Sequence, residues 1–162
     1  RAGMGMTVVA WIIFLAMMFG VFDYLVTQRN NPNQNIVTTM DGYRKEITLQ
    51  RNAYGHYVSS GSINGNDVVF LLDTGASDIA IPESVADEIG LQKGRDVYVK
   101  TANGNTRAYR TRLQSVAIGD IVLYDLSATI LTNISGHEIL LGMNFLKHLE
   151  ITQKGQTLTI RQ

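Results

Sequence analysis

The 162-residue sequence has no cysteine, only two prolines and no net charge, its 14 basic side chains matching 14 acidic ones. Without cysteine there are no disulfides, no thiolate zinc sites and no cysteine nucleophile. Without a positive field there is little to attract phosphates, which argues against a nucleic-acid partner. Three histidines, His56, His137 and His148, stand too far apart for metal-ligand spacing. Ser77 and Ser135 lack the local signature of an activated serine. No metal or organic cofactor is implied.

Charge is also absent from one long stretch. Met4 to Phe22 reads MGMTVVAWIIFLAMMFGVF. As a helix, these residues span roughly 28 Å at 1.5 Å each, close to the hydrocarbon thickness of a bilayer. A cleaved signal peptide is the alternative. Its apolar region would be shorter and would end at a small-x-small site, whereas Phe22-Asp23-Tyr24-Leu25 follows here. Residues 4–26 are therefore read as a single-pass transmembrane anchor in contact with lipid. Flanking Arg1 and Arg29 give almost no orientational bias. Residues 27–40, TQRNNPNQNIVTTM, have no apolar periodicity and read as a linker, with a surface loop of the domain as the alternative.

From residue 41 to residue 162 the pattern is short strands between turns, with 15 glycines in the chain and many β-branched residues. Asn64-Gly65 predicts a tight hairpin turn. Pro82 to Ile89 and Met143 to about His148 predict two short helices. Thr106 to Arg112 and Leu113 to Ile118 read as separate strands. The class is all-β, a small barrel or sandwich with two short helices behind an N-terminal transmembrane helix.

The chemistry concentrates at Val68-Val69-Phe70-Leu71-Leu72-Asp73-Thr74-Gly75-Ala76-Ser77. Five apolar residues read as a strand buried on both faces. A carboxylate at its end is costly unless it is hydrogen-bonded or shares a proton. Gly75 permits a sharp turn, and Thr74 offers a hydroxyl to fix the loop. Alone, Asp-Thr-Gly is more often a plain β-turn. Peptide hydrolysis by carboxylates needs two, one activating water and one protonating the carbonyl oxygen. The sequence has no second such tripeptide. Asp78, Asp120 and Asp125 read as turn or surface residues. Lys100, Arg107, Arg110 and Arg112 read as the solvated face of a hairpin rather than as a preference for acidic substrates.

Three features in order resemble the retropepsin-like aspartic peptidases, in particular the bacterial membrane-anchored branch. They are the strand into Asp73-Thr74-Gly75-Ala76-Ser77, then Thr101-Ala102-Asn103-Gly104, then Ile139-Leu140-Leu141-Gly142-Met143-Asn144-Phe145-Leu146. The resemblance covers roughly residues 41–162. It implies a retropepsin-like acid-protease barrel and an endopeptidase acting on protein or peptide substrates. Asp73 would be the catalytic residue, with Thr74 and Gly75 bracing the loop. Ala76, Ser77 and a flap at Ala102, Asn103 and Gly104 would meet substrate. The second aspartate would come from a homodimer, with Thr157 to Ile160 a candidate for cross-chain pairing. The location implied is a bacterial inner membrane, with the domain in the periplasm. Where viral relatives carry an acid and an arginine, this sequence has Ser77 and Met143, which removes a possible ion pair as a whole. A peptide-binding or dimerisation module with this fold but no activity is the rival expectation.

Overall fold

The computed structural model describes residues 2–101 and 104–162. It begins with helix α1 (Ala2–Asn30), whose apolar side chains are exposed all round. Among the described residues α1 is the one helix long and apolar enough to cross a membrane. By length and composition it could be a membrane anchor or a signal sequence.

Among the described residues eleven strands follow, in two sheets. The smaller sheet has the order β1 (Thr38–Asp41), β2 (Arg44–Gln50), β11 (Thr157–Arg161), β10 (Glu150–Lys154). Alternation drives it: Ile47 and Leu49 of β2 pair with Ile160 and Leu158 of β11, and all four are buried. Both edges of β11 are thus occupied within the chain, so it offers no edge for the expected cross-chain pairing. The open edges belong to β1 and β10.

The larger sheet has the order β3 (Tyr57–Ile63), β4 (Asn66–Leu72), β9 (Glu138–Leu141), β5 (Ile79–Pro82), β8 (Ile121–Leu131), β7 (Gly104–Ile118), β6 (Asp96–Thr101). A further pairing of β3 with β7, Ser62 opposite Ala117 and Ile63 opposite Val116, closes it on itself. The interior is filled by Ile63, Phe70, Ile79, Ile81, Leu113, Ile130, Ile139 and Phe145. Asn64 (φ 51°) and Gly65 (φ 81°) make the β3–β4 turn in the left-handed region, as Asn-Gly favours. The helices after Pro82 and Gly142 are α2 (Glu83–Glu88) and α3 (Met143–Leu146), each shorter than expected.

Two further features depart from the sequence pattern. The boundary expected between Arg112 and Leu113 is absent, and β7 runs unbroken for 15 residues. What read as a break is a slip in the alternation: Thr106 and Ala108 are buried, then Leu113, then Val116 and Ile118. Pairing with β8 continues from Ala108–Leu131 to Ile118–Ile121. The polar run 27–40 is not free chain either. Its first four residues finish α1, its last three lie in β1, and Asn31 and Asn33 between them are buried against the barrel.

Candidate active site

Strand order dictates the geometry of the Asp73 loop. β9 lies between β4 and β5, parallel to β4. The connection from β4 to β5, residues 73–78, must therefore cross over the end of β9, where Gly142 sits. A Cβ at Gly142 would lie 2.3 Å from the Asp78 carbonyl oxygen and 2.6 Å from that of Ala76. Only glycine allows this crossing.

Backbone bonds then hold the loop from behind. The Asp73 N–H donates to the Leu141 carbonyl (3.2 Å) and the Ala76 N–H to the Asp73 carbonyl (3.2 Å). From the start of α3, Met143 N–H reaches the Ala76 carbonyl (2.8 Å) and Asn144 N–H the Ser77 carbonyl (3.2 Å). The Gly75 N–H donates to Asp73 Oδ1 at 2.8 Å. Asp73 is thus half-buried at the mouth of a rigid turn, with one carboxylate oxygen oriented by the loop. Thr74 is exposed, and its hydroxyl has no hydrogen-bond partner among the described residues. Within one chain the loop is braced by backbone, not by Thr74.

Replacing Gly142 with alanine should lower stability by about 3 kcal/mol or more, because two backbone oxygens occupy the space the methyl needs. Denaturant titration of the full chain in detergent measures this. An unchanged midpoint would contradict the crossing.

Asp73 opens into a cleft of about 840 Å³. Its floor is Asp73, Gly75, Ala76, Ser77 and Asp78. One wall is Val99, Lys100 and Thr101 of β6, and the other includes Asn133, Ile134 and Ser135 after β8. The β6–β7 hairpin lies where a flap was expected: Thr101 pairs with Gly104, and the Thr101 hydroxyl donates to the Gly104 carbonyl at 2.9 Å. Gly104 has φ 102°. Ala102 and Asn103, expected at the flap tip, lie outside the described residues. Gly104 is described but does not line the cleft.

Asp78, read from sequence as a turn or surface residue, sits inside the cleft. Its Oδ2 is ion-paired with Arg110 and accepts a bond from Thr129 Oγ1 at 2.8 Å. Its Oδ1 accepts from Asn144 Nδ2 at 2.5 Å. Arg110 also donates to Thr129 Oγ1 (2.9 Å), and Asn144 Nδ2 to the Ser127 carbonyl (2.7 Å). Asn144 Oδ1 is buried without a partner among the described residues. This network ties the floor to β7, β8 and α3. The Asp78 carboxylate is committed to donors on three sides, whereas the Asp73 carboxylate accepts only from the Gly75 N–H among the described residues.

The cations of the hairpin are mostly neutralised. Arg107 pairs with Asp96 at 2.7 Å, Arg110 with Asp78, and Arg112 with Asp125. The Arg112 guanidinium beside Asp125 holds its carboxyl below the ordinary carboxylate range. Among the described residues, no cluster of three or more His, Cys, Asp or Glu could hold a metal ion.

A closed β-barrel with Asp-Thr-Gly on a turn crossing a glycine, beneath a hairpin, is the retropepsin-like architecture. Comparison with known proteins gives the same result. A family model described as "gag-polyprotein putative aspartyl protease" matches residues 59–148, and the chain belongs to that family. The crystal structure of a retropepsin-like aspartic protease from Rickettsia conorii superposes with a TM-score of 0.64 at 25% identity. The match covers 77% of this chain and 97% of that one. An uncharacterised protein in the cobV 5′ region of Sinorhizobium sp. is 37% identical over 121 residues, covering 73% of this chain and 52% of that protein. The uncharacterised protein RP867 of Rickettsia prowazekii (strain Madrid E) is 33% identical over 115 residues, covering 65% and 46%. The chain thus spans about half the length of these curated relatives.

Proposed function

We propose that this protein is an aspartic endopeptidase anchored in a bacterial inner membrane, with Asp73 as its catalytic carboxylate. The observation that carries the reading is Asp73 itself, oriented by Gly75 N–H at the floor of a cleft beneath a hairpin. A peptide lying between that floor and β6 would place a carbonyl over the carboxylate. Ala76 and Ser77 would contact its backbone, and Ala102, Asn103 and Gly104 would close over it. Thr74, exposed beside Asp73, is free to meet a second copy of itself across a symmetry axis. That arrangement would bring two Asp73 side chains together, and the pair, sharing one proton, would activate water and protonate the carbonyl oxygen.

The domain division follows: residues 4–26 as the bilayer anchor, 27–40 as the junction, and 41–162 as the peptidase domain, facing the periplasm. Protease added to spheroplasts would digest a periplasmic domain and spare a cytoplasmic one.

The test uses the full chain in detergent with a diverse peptide library. Cleavage at interior peptide bonds, unaffected by a chelator and blocked by peptides bearing a tetrahedral hydroxyl isostere at the cut site, is the expected result. Cleavage abolished by the chelator would overturn the carboxylate mechanism. No cleavage at all would favour a peptide-binding module.

A further inference from the structure

Helix α1 ends in an unusual way. The last carbonyls of a helix have no partners within it. Here the barrel supplies some: Ala53 N–H donates to the Arg29 carbonyl (3.2 Å) and Asn52 Nδ2 to the Asn30 carbonyl (3.0 Å). Two buried asparagines continue the clamp. Asn33 Nδ2 donates to the carbonyls of Gln50 (2.8 Å) and Val58 (2.6 Å), and its Oδ1 accepts from Gln50 N–H (2.7 Å). Ser60 N–H donates to the Asn33 carbonyl (3.1 Å), and Asn31 Nδ2 to Ser60 Oγ (3.1 Å). Asn31 Oδ1 accepts from Asn33 N–H at 3.0 Å. Burying amides is costly unless they are fully bonded, and a fully bonded buried network is rigid. A flexible tether would need none of it.

The clamp also sets a distance. A path of bonded and adjacent residues runs from Val26 up the helix to Arg29, across to Ala53 and Asn52, and from Asn52 to His56. It then crosses from Tyr57 to its β4 partner Leu72 and ends at Asp73. With 1.5 Å per helical residue, 3.8 Å per covalent step and roughly 5 Å per hydrogen-bonded pair, the path is about 30 Å. The straight-line distance from the last apolar turn of α1 to Asp73 is shorter.

We infer that the asparagine clamp holds the cleft at a fixed short height above the bilayer, and so selects the membrane-proximal stretch of other membrane-anchored polypeptides as substrate. This rests on reading α1 as an anchor and the cleft as a peptidase. An extended chain covers 30 Å in about ten residues. Beyond that length, effective concentration falls roughly as the −3/2 power of the spacer. A soluble peptide gains nothing from the arrangement.

The experiment co-reconstitutes the full chain in phosphatidylethanolamine and phosphatidylglycerol vesicles with a transmembrane helix bearing one cleavable peptide, chosen by its cleavage in detergent. The spacer between helix and cut site is varied. Cleavage at about 10 residues should exceed that at about 40 by about eightfold. A Gly/Ser insertion of about 15 residues between Thr27 and Gln28, which leaves the clamp intact, should lower that ratio to about threefold. Asn33→Ala should lower it in the same direction. Both variants should cut the peptide in detergent as the parent does; should Asn33→Ala fail to fold, the insertion alone decides. A parent chain that cuts in detergent and floats with the vesicles but shows a flat spacer profile, or an insertion that leaves the ratio at eightfold, would overturn the inference while leaving the peptidase standing. Failure to float with vesicles would remove the anchor and the inference together. Failure to cut in detergent would remove the peptidase reading itself.

Discussion

Replacing Asp73 with asparagine should lower peptide hydrolysis by at least about a thousandfold while leaving the fold intact. The amide has nearly the shape of the carboxylate, and its oxygen can still accept from Gly75 N–H at the position Oδ1 now holds. It cannot take a proton from water. The Asp73 side chain makes no ion pair among the described residues, so the substitution strands no buried charge. Asp78 cannot substitute for it, because Arg110, Thr129 and Asn144 occupy both of its oxygens. Turnover of the library peptide and a denaturant midpoint, measured on both proteins, check the two halves of the prediction. Equal turnover would remove Asp73 from the mechanism.

Activity should also depend on concentration more steeply than first order. One chain brings one Asp73, and the described residues place no second uncommitted carboxylate against it in the cleft. Where monomers dominate, the dimer fraction is proportional to concentration, so a tenfold dilution in detergent should lower specific activity by about tenfold. Anchoring changes the balance: two chains confined to one bilayer meet at a much higher effective concentration. The same quantity of protein in vesicles should therefore be more active than in dilute detergent. Assays across a dilution series with parallel light scattering give both numbers. Constant specific activity where scattering reports only monomer would contradict a shared site.

Features governed by neighbours in sequence were legible before the structure. The run Val68 to Leu72 is a strand, as five apolar residues in succession predict. It is not enclosed on both faces, however: only Val68 and Phe70 are buried, while Val69, Leu71 and Leu72 are half-buried. The Asn64-Gly65 turn follows from tolerance of positive φ. Gly142 could be picked out as part of a motif, but the reason for it could not. That reason is a strand order in which β9 separates β4 from β5, so that one chain segment passes over another.

What remained hidden depends on partners remote in sequence. Asp78 resembles any polar residue after a turn until Arg110, 32 residues later, and Asn144, 66 residues later, arrive beside it. Asn31 and Asn33 look like linker residues because asparagine is common in loops. Their burial is decided by Gln50, Val58 and Ser60, whose backbone and hydroxyl groups the sequence pattern does not mark. The unbroken β7 is invisible to the alternation pattern, because the β8 pairing carries the strand through the slip.

The most direct measurement mixes wild-type chains with a fourfold excess of Asp73→Asn chains in the same vesicles and follows hydrolysis per wild-type chain. Random pairing leaves about one wild-type chain in five with a wild-type partner, so activity per wild-type chain should fall about fivefold if the aspartate pair is shared between copies. Activity per wild-type chain that does not change with added Asp73→Asn would mean that a single chain carries all the catalytic groups it needs.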